Sequence, residues 1–175
     1  MNIPKMKTTV LSLLIAMSST VFAQTSPFSV YIEPLNIAGL GGIQSYAYGQ
    51  HNGKWLIVGG RLDGLHQRQP FASFLASGNN NQIFVVDPLS MQRWTAPISS
   101  LPVGLQEQLS STNMEFFQEG NYLYCIGGYG YSNTAVDHIT YPSLIAIDVP
   151  AVIDAVVNGS PFTSFFRQVA DPLLQ

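Results

Sequence analysis

The side chains best suited to chemistry fall in two polar stretches. Arg61, Asp63, His66 and Arg68 lie within eight residues, and Tyr129, Tyr131, Asn133, Asp137, His138 and Tyr141 within thirteen. Aromatic rings beside donors and acceptors suit sugars, whose apolar faces stack and whose hydroxyls need hydrogen-bond partners. They equally suit a protein partner, because tyrosine and arginine are favoured at interfaces. A structural role, with tyrosines anchoring loops and charges in solvent, is the third reading. Asp63-x-x-His66 and the pair Asp137-His138 lack the spacing of a dedicated ligand set, so neither a metal nor a cofactor is expected. No Gly-x-Ser-x-Gly, Ser-x-x-Lys or His-Glu-x-x-His occurs, and no catalytic residue is assigned.

Each stretch follows an apolar run that closes on two glycines. The runs are Lys54-Trp55-Leu56-Ile57-Val58-Gly59-Gly60 and Tyr122-Leu123-Tyr124-Cys125-Ile126-Gly127-Gly128. Short runs rich in β-branched and aromatic residues predict strands packed on both faces, and the glycines predict ends where no Cβ is tolerated. Asn52-Gly53 predicts a tight hairpin between the first of these runs and a strand over 43–49. Gln82–Asp87 is a third strand, Pro88-Leu89-Ser90 a turn and Met91–Thr95 a fourth strand, which together make a meander.

The pattern then repeats. An offset of 68 residues sets Gly59-Gly60 on Gly127-Gly128, Gln50 on Gln118, and the Asn52-Gly53 turn on Gly120-Asn121. Residues 112–118 become the first strand of the second unit, and Ser143–Asp148 its third. Asp87 and Asp148 are 61 residues apart, so the intervening loop is seven residues shorter in the second copy. Pro150 opens an apolar run to Val157 with Asn158-Gly159 beyond, which predicts a two-turn helix inserted before the fourth strand at Phe162–Arg167.

The N-terminus places Lys5 and Lys7 before the apolar run Val10–Met17 and the small residues ahead of Gln24. That order predicts a secretory leader removed after Ala23, its apolar core too short for the roughly 20 residues that span a bilayer. An exported chain with no transmembrane segment in its mature form is therefore expected, periplasmic, cell-surface or extracellular. Loss of two lysines shifts the net charge from −3 to −5, which does not invite nucleic acid. The sole cysteine, Cys125, lies inside a strand and is expected to be a buried, inert thiol. Phe28–Ile32 alternates as a short strand, and Gly39-Leu40-Gly41-Gly42 has neither the third glycine nor the following helix of a dinucleotide loop.

An apolar strand closed by Gly59-Gly60, a strand ending at Asp87-Pro88, and Trp94 six residues beyond that proline resemble a kelch repeat. Gly127, Gly128 and Asp148 match in the second unit, where Phe165 or Phe166 is expected to fill the volume of the missing tryptophan. Val86 stands where the family usually shows tyrosine. The resemblance implies a β-propeller, each repeat one four-stranded antiparallel blade. The expected fold is all-β: two such blades, 43–97 and 112–170, joined by a loop over 98–111. Residues 24–42 are expected to hold a strand that closes the ring, and 171–175 a linker.

Propellers need about four to eight blades. Two alone leave apolar faces open, so further blades of a longer chain, or other subunits, are implied partners. Blade geometry gathers 61–80, 129–142, 33–42 and 98–111 on one face. Arg61, Asp63, His66, Tyr129, Tyr131 and His138 are the candidate ligand residues there. A non-catalytic module binding a glycan or a protein is the leading expectation. A carbohydrate-active enzyme similar to sialic acid mutarotases, with catalytic groups on other blades, and a plain repeat scaffold are the alternatives.

Overall fold

The computed structural model describes residues 28–64, 69 and 73–170. The expected leader, the terminal linker, His66 and Arg68 lie outside the described residues. Asn52 and Gly53, at φ of 49° and 78°, turn the chain between β1 (Ala47–His51) and β2 (Lys54–Val58). Positive φ at both central positions is the hairpin geometry that Asn-Gly favours. β3 (Gln82–Asp87) and β4 (Gln92–Pro97) complete an antiparallel sheet in the order β1-β2-β3-β4. Asp87 shapes the turn between them: its Oδ1 accepts from the amides of Leu89 and Ser90 at 3.0 and 3.1 Å.

The second sheet repeats this order with β5 (Thr112–Glu119), β6 (Tyr122–Ser132), β8 (Ser143–Asp148) and β9 (Phe166–Ala170). It also carries a fifth strand, β7 (Asp137–Thr140), paired with the far end of β6. The second diglycine therefore does not end its strand. Tyr129–Ser132 continue as β6, and much of the expected loop 129–142 is a hairpin. Neither sheet closes into a barrel.

Two helices connect these strands. α1 (Val103–Leu109) occupies the expected loop 98–111, following Pro102 and burying Leu105 and Leu109. α2 (Val149–Asn158) is the inserted helix, with Asp148 capping the amide of Ala151, Pro150 in its first turn and Gly159 left-handed at its end. The two repeat-equivalent aspartates thus both hold backbone amides, one in a turn and one at a helix start. Among the described residues no helix is long and apolar enough to cross a membrane.

Alternation along the strands gives each sheet two unlike faces. On the first sheet, Leu56, Val58, Ile83 and Val85 face the second sheet and α2, and Ile57, Phe84 and Val86 face the other way. On the second sheet, Leu123, Cys125, Ile145 and Ile147 face the first. Each such side chain contributes about 1.5–3 kcal/mol when fully buried. By the 68-residue offset, Leu56 and Val58 correspond to Tyr124 and Ile126. The face of the first sheet that is buried therefore corresponds to the outward face of the second. That outward face also bears Phe117, Tyr122 and Val169, exposed to 68%, 46% and 63%.

The opposite outer face, on the first sheet, is covered by the chain itself. Ile37, Leu40, Ile43 and Tyr46 pack on Ile57, Phe84 and Val86, and Arg93 Nε donates to the carbonyl of Ala38 at 3.0 Å. Residues 35–42 consequently close a sheet face instead of joining the expected loop surface. Residues 28–32 form no strand, and β1 begins at Ala47 instead of residue 43. Trp94 packs against the shared core, but its place in the second ladder is taken by Arg167, opposite Ala146. Phe166, one residue earlier, turns to the other face and is buried there.

Gln118 ties the sheets at their edges. Its Oε1 accepts from the Gln50 amide at 2.7 Å and its Nε2 donates to the Gln50 carbonyl at 2.9 Å, so two repeat-equivalent glutamines meet. The diglycines bring the sheet ends close. Gly60 has φ of 85°, and a Cβ there would lie 2.5 Å from the Gln44 carbonyl oxygen, which accepts from Arg61 N. At Gly53 a Cβ would meet nothing within 4 Å. Gly60→Ala should therefore cost about 3 kcal/mol and Gly53→Ala about 1 kcal/mol in urea unfolding. Equal costs would show that backbone angle alone, and not close approach, sets the requirement.

Candidate functional site

The β2–β3 connection, the β4–β5 connection and the β6–β7 hairpin meet around one groove of about 700 Å³. Asn79 and Asn81 come from the first connection and Gln82 from the start of β3, Ser99, Gln106 and Glu107 from the second connection, and Tyr131, Asn133 and Thr134 from the third. The groove sits on the face anticipated for the loops.

Arg61 organises the first wall. It is 3% exposed; its Nη2 meets Asp63 Oδ2 at 2.5 Å, its Nε meets Oδ1 at 3.0 Å, and Nη1 and Nη2 donate to Asn79 Oδ1 and the Leu75 carbonyl. Its Cζ lies 5.6 Å from the centre of the Phe74 ring. A buried guanidinium must be saturated in this way to offset its desolvation. Arg61 and Asp63, two of the expected ligand residues, are thus committed to holding the loop. The neighbouring Asn80 is fully buried; its Nδ2 donates to the Gly59 carbonyl and its Oδ1 accepts from Gln82 N.

From Phe74 a run of ring contacts leads to the groove. Phe74 meets Tyr129 edge-to-face at 5.1 Å, Tyr129 stacks with His138 at 5.8 Å, and His138 meets Tyr131 edge-to-face at 5.3 Å. The structure brings Arg61, Asp63, Tyr129, Tyr131 and His138 into one region, where much of their contact is with one another. Tyr131 alone of the five also lines the groove. Cross-strand pairing explains the cluster, since Tyr131 faces His138 across β6 and β7, with Tyr129 two residues along the same face.

Glu107 braces the third wall. Its Oε2 accepts from Ser132 Oγ at 2.7 Å, and its Oε1 from Thr134 N at 2.9 Å and Thr134 Oγ1 at 3.0 Å. Burial alone would raise its carboxyl, but the bonds from Ser132, Thr134 and Asn133 outweigh that and hold it below its ordinary value. The fully buried Gln108 beside it donates to the carbonyls of Gly127 and Ser143 and fastens α1 to the second sheet.

Sequence patterns left Gln82, Ser99, Gln106 and Glu107 unassigned as site residues. The signal that would have located two of them is the four-residue spacing of Leu105 and Leu109 after Pro102, which marks one face of a helix and turns Gln106 and Glu107 away from it. Cys125 is free and buried, its thiol pushed up to about 12 by burial. Among the described residues no group of three or more His, Cys, Asp or Glu side chains is placed to hold a metal. Compared with known proteins, the chain matches no family model and no curated sequence.

Tyr141 supports Tyr131 from behind, its hydroxyl donating to the Tyr131 carbonyl at 3.1 Å. Burial, and secondarily the Glu107 carboxylate, push its phenol up to about 12. An unfolded tyrosine ionises near pH ~10, so the folded chain keeps a proton that the unfolded chain releases. This contribution to stability is full below about pH 10 and drains away as the pH rises towards 12. Urea midpoints should therefore fall between pH 9 and 11 in the parent chain, and fall less in Tyr141→Phe; parallel curves would remove Tyr141 from the effect.

Proposed function

We propose that this chain is an exported pair of kelch-type propeller blades serving as a non-catalytic binding module, with its protein or glycan ligand held in the groove. The observation that carries this reading is convergence. Three separate inter-strand connections supply walls to a single concave site whose volume, about 700 Å³, lies within the range of small-molecule sites. Among the described residues Glu107 is the sole carboxylate on the lining, and it is engaged by three donors. Glycoside hydrolysis ordinarily takes two carboxylates across the scissile bond, so the lining supports binding over cleavage. The leader-like N-terminus supports export.

Ser99 is an exposed residue on the groove wall. Ser99→Trp should fill the groove, lowering affinity for any ligand found on combined glycan and peptide arrays at least tenfold while leaving the thermal midpoint within about 2 °C. Unchanged affinity would remove the groove as the site.

The kelch-type reading also accounts for the open outward face of the second sheet. Since its counterpart on the first sheet is buried against a blade, a further blade, from a longer chain or another subunit, is the partner this face fits. In the isolated chain the double substitution Phe117→Lys with Val169→Lys should at least halve binding of a fluorescent hydrophobic dye, without loss of secondary structure by circular dichroism. Dye binding that ignores both changes would point to a face already covered.

A further inference from the structure

We infer that the groove takes an uncharged, hydroxyl-rich oligosaccharide laid against Tyr131, an inference that rests on the binding role proposed above. The argument begins with what the lining lacks. Among the described residues no Lys, Arg or His is on it, and Arg61, on the β2–β3 connection, is spent on Asp63 and on oxygens of its own loop. A site for phosphate, sulfate or an acidic sugar needs charge-assisted donors, for which arginine and lysine are the usual supply. Among the described residues of the lining the single formal charge is the Glu107 carboxylate, which repels such groups.

What the lining offers instead is amides. Asn79, Asn81, Gln82 and Gln106 each carry a donor and an acceptor on adjacent atoms, and neighbouring hydroxyls of a sugar ring present donors and acceptors at similar separation. Two of these amides are already half used and so held in place. Asn79 Oδ1 accepts from Arg61, and Gln106 Nε2 donates to the carbonyls of Leu101 and Ser99. Among the described residues the Asn79 amino group and the Gln106 carbonyl oxygen have no protein partner, one donor and one acceptor from different connections.

Tyr131 provides the apolar surface. It is 36% exposed, with one side propped by His138 in edge-to-face contact and its backbone carbonyl held by Tyr141. A ring kept in place before binding loses little rotamer freedom on stacking with the C–H face of a sugar. An extended peptide would use the ring as well, but its binding would draw on strand edges or apolar pockets more than on side-chain amides.

The test uses the full chain on an array that carries neutral gluco-, manno-, xylo- and galacto-oligosaccharides beside sialylated, sulfated and uronate-bearing counterparts and a panel of random peptides. Hits are followed by titration calorimetry. Binding is expected to neutral oligosaccharides, at least tenfold weaker in Tyr131→Ala, within threefold of the parent in Tyr131→Phe, and three- to tenfold weaker in the exposed-site variant Asn81→Ala. Thermal melts establish that each variant is folded, and Asn81→Ala carries the test should Tyr131→Ala not fold. Capture of acidic glycans alone, or neutral-sugar binding indifferent to both Tyr131→Ala and Asn81→Ala, overturns the inference. Peptide binding without sugar binding overturns the ligand class and leaves the module intact, whereas silence across the whole array overturns both.

Discussion

The structure depends on one packing event, the burial of Leu56, Val58, Ile83 and Val85 against Leu123, Cys125, Ile145, Ile147 and the apolar side of α2. Among the described residues no third sheet covers these side chains, and a lone sheet with a wet apolar face is not stable. The contact is directional. It joins unlike faces of equivalent sheets, and the Gln118 bracket on Gln50 sets the edges in register. A head-to-tail contact of this kind uses up one face of each unit and leaves the complementary face at either end. At one end Ile37, Leu40, Ile43 and Tyr46 close it; at the other, Phe117, Tyr122 and Val169 stay in solvent.

The groove is a by-product of that packing. Sheets stacked in register bring the same ends of their strands together, so connections distant in sequence must share space. Arg61 and Glu107 then stiffen the walls from opposite sides, each by saturating its own hydrogen-bonding capacity instead of offering it to solvent. Groups spent in this manner do not bind ligands, but they hold Asn79 and the β6–β7 hairpin in place. The groups facing the groove include neutral amides and Tyr131, and Asn79 and Tyr131 are held by partners that are themselves engaged.

Much of the fold was legible along the chain. Gln82–Asp87 and Ser143–Asp148 match the expected strands to the residue, and the inserted helix extends one residue past each end of the expected run from Pro150 to Val157, because apolar alternation, Asn-Gly turns and proline-to-glycine helix punctuation are local signals. The misreadings share a cause. Phe28–Ile32 has the alternation of a strand but forms none, and pairing is not a local property. Tyr129–Ser132 was read as loop because Gly127-Gly128 ordinarily ends a strand; here Asp137–Thr140 returns to pair with it and carries β6 onward. Phe166 has the bulk to replace Trp94 but the wrong parity, since one step along a strand reverses the face.

The candidate site divides in the same way. The sequence alone determined which stretches lie at the ends of buried strands, that they repeat at 68 residues, and that Arg61, Asp63, Tyr129, Tyr131 and His138 sit within them. Only the tertiary structure decided that Arg61 and Asp63 neutralise each other, that His138, stacked on Tyr129, braces Tyr131, and that Gln82, Gln106 and Glu107 complete the wall. The reason is physical: strand formation and turns are governed by neighbours along the chain, whereas the availability of a polar side chain is governed by whatever partner reaches it first across space.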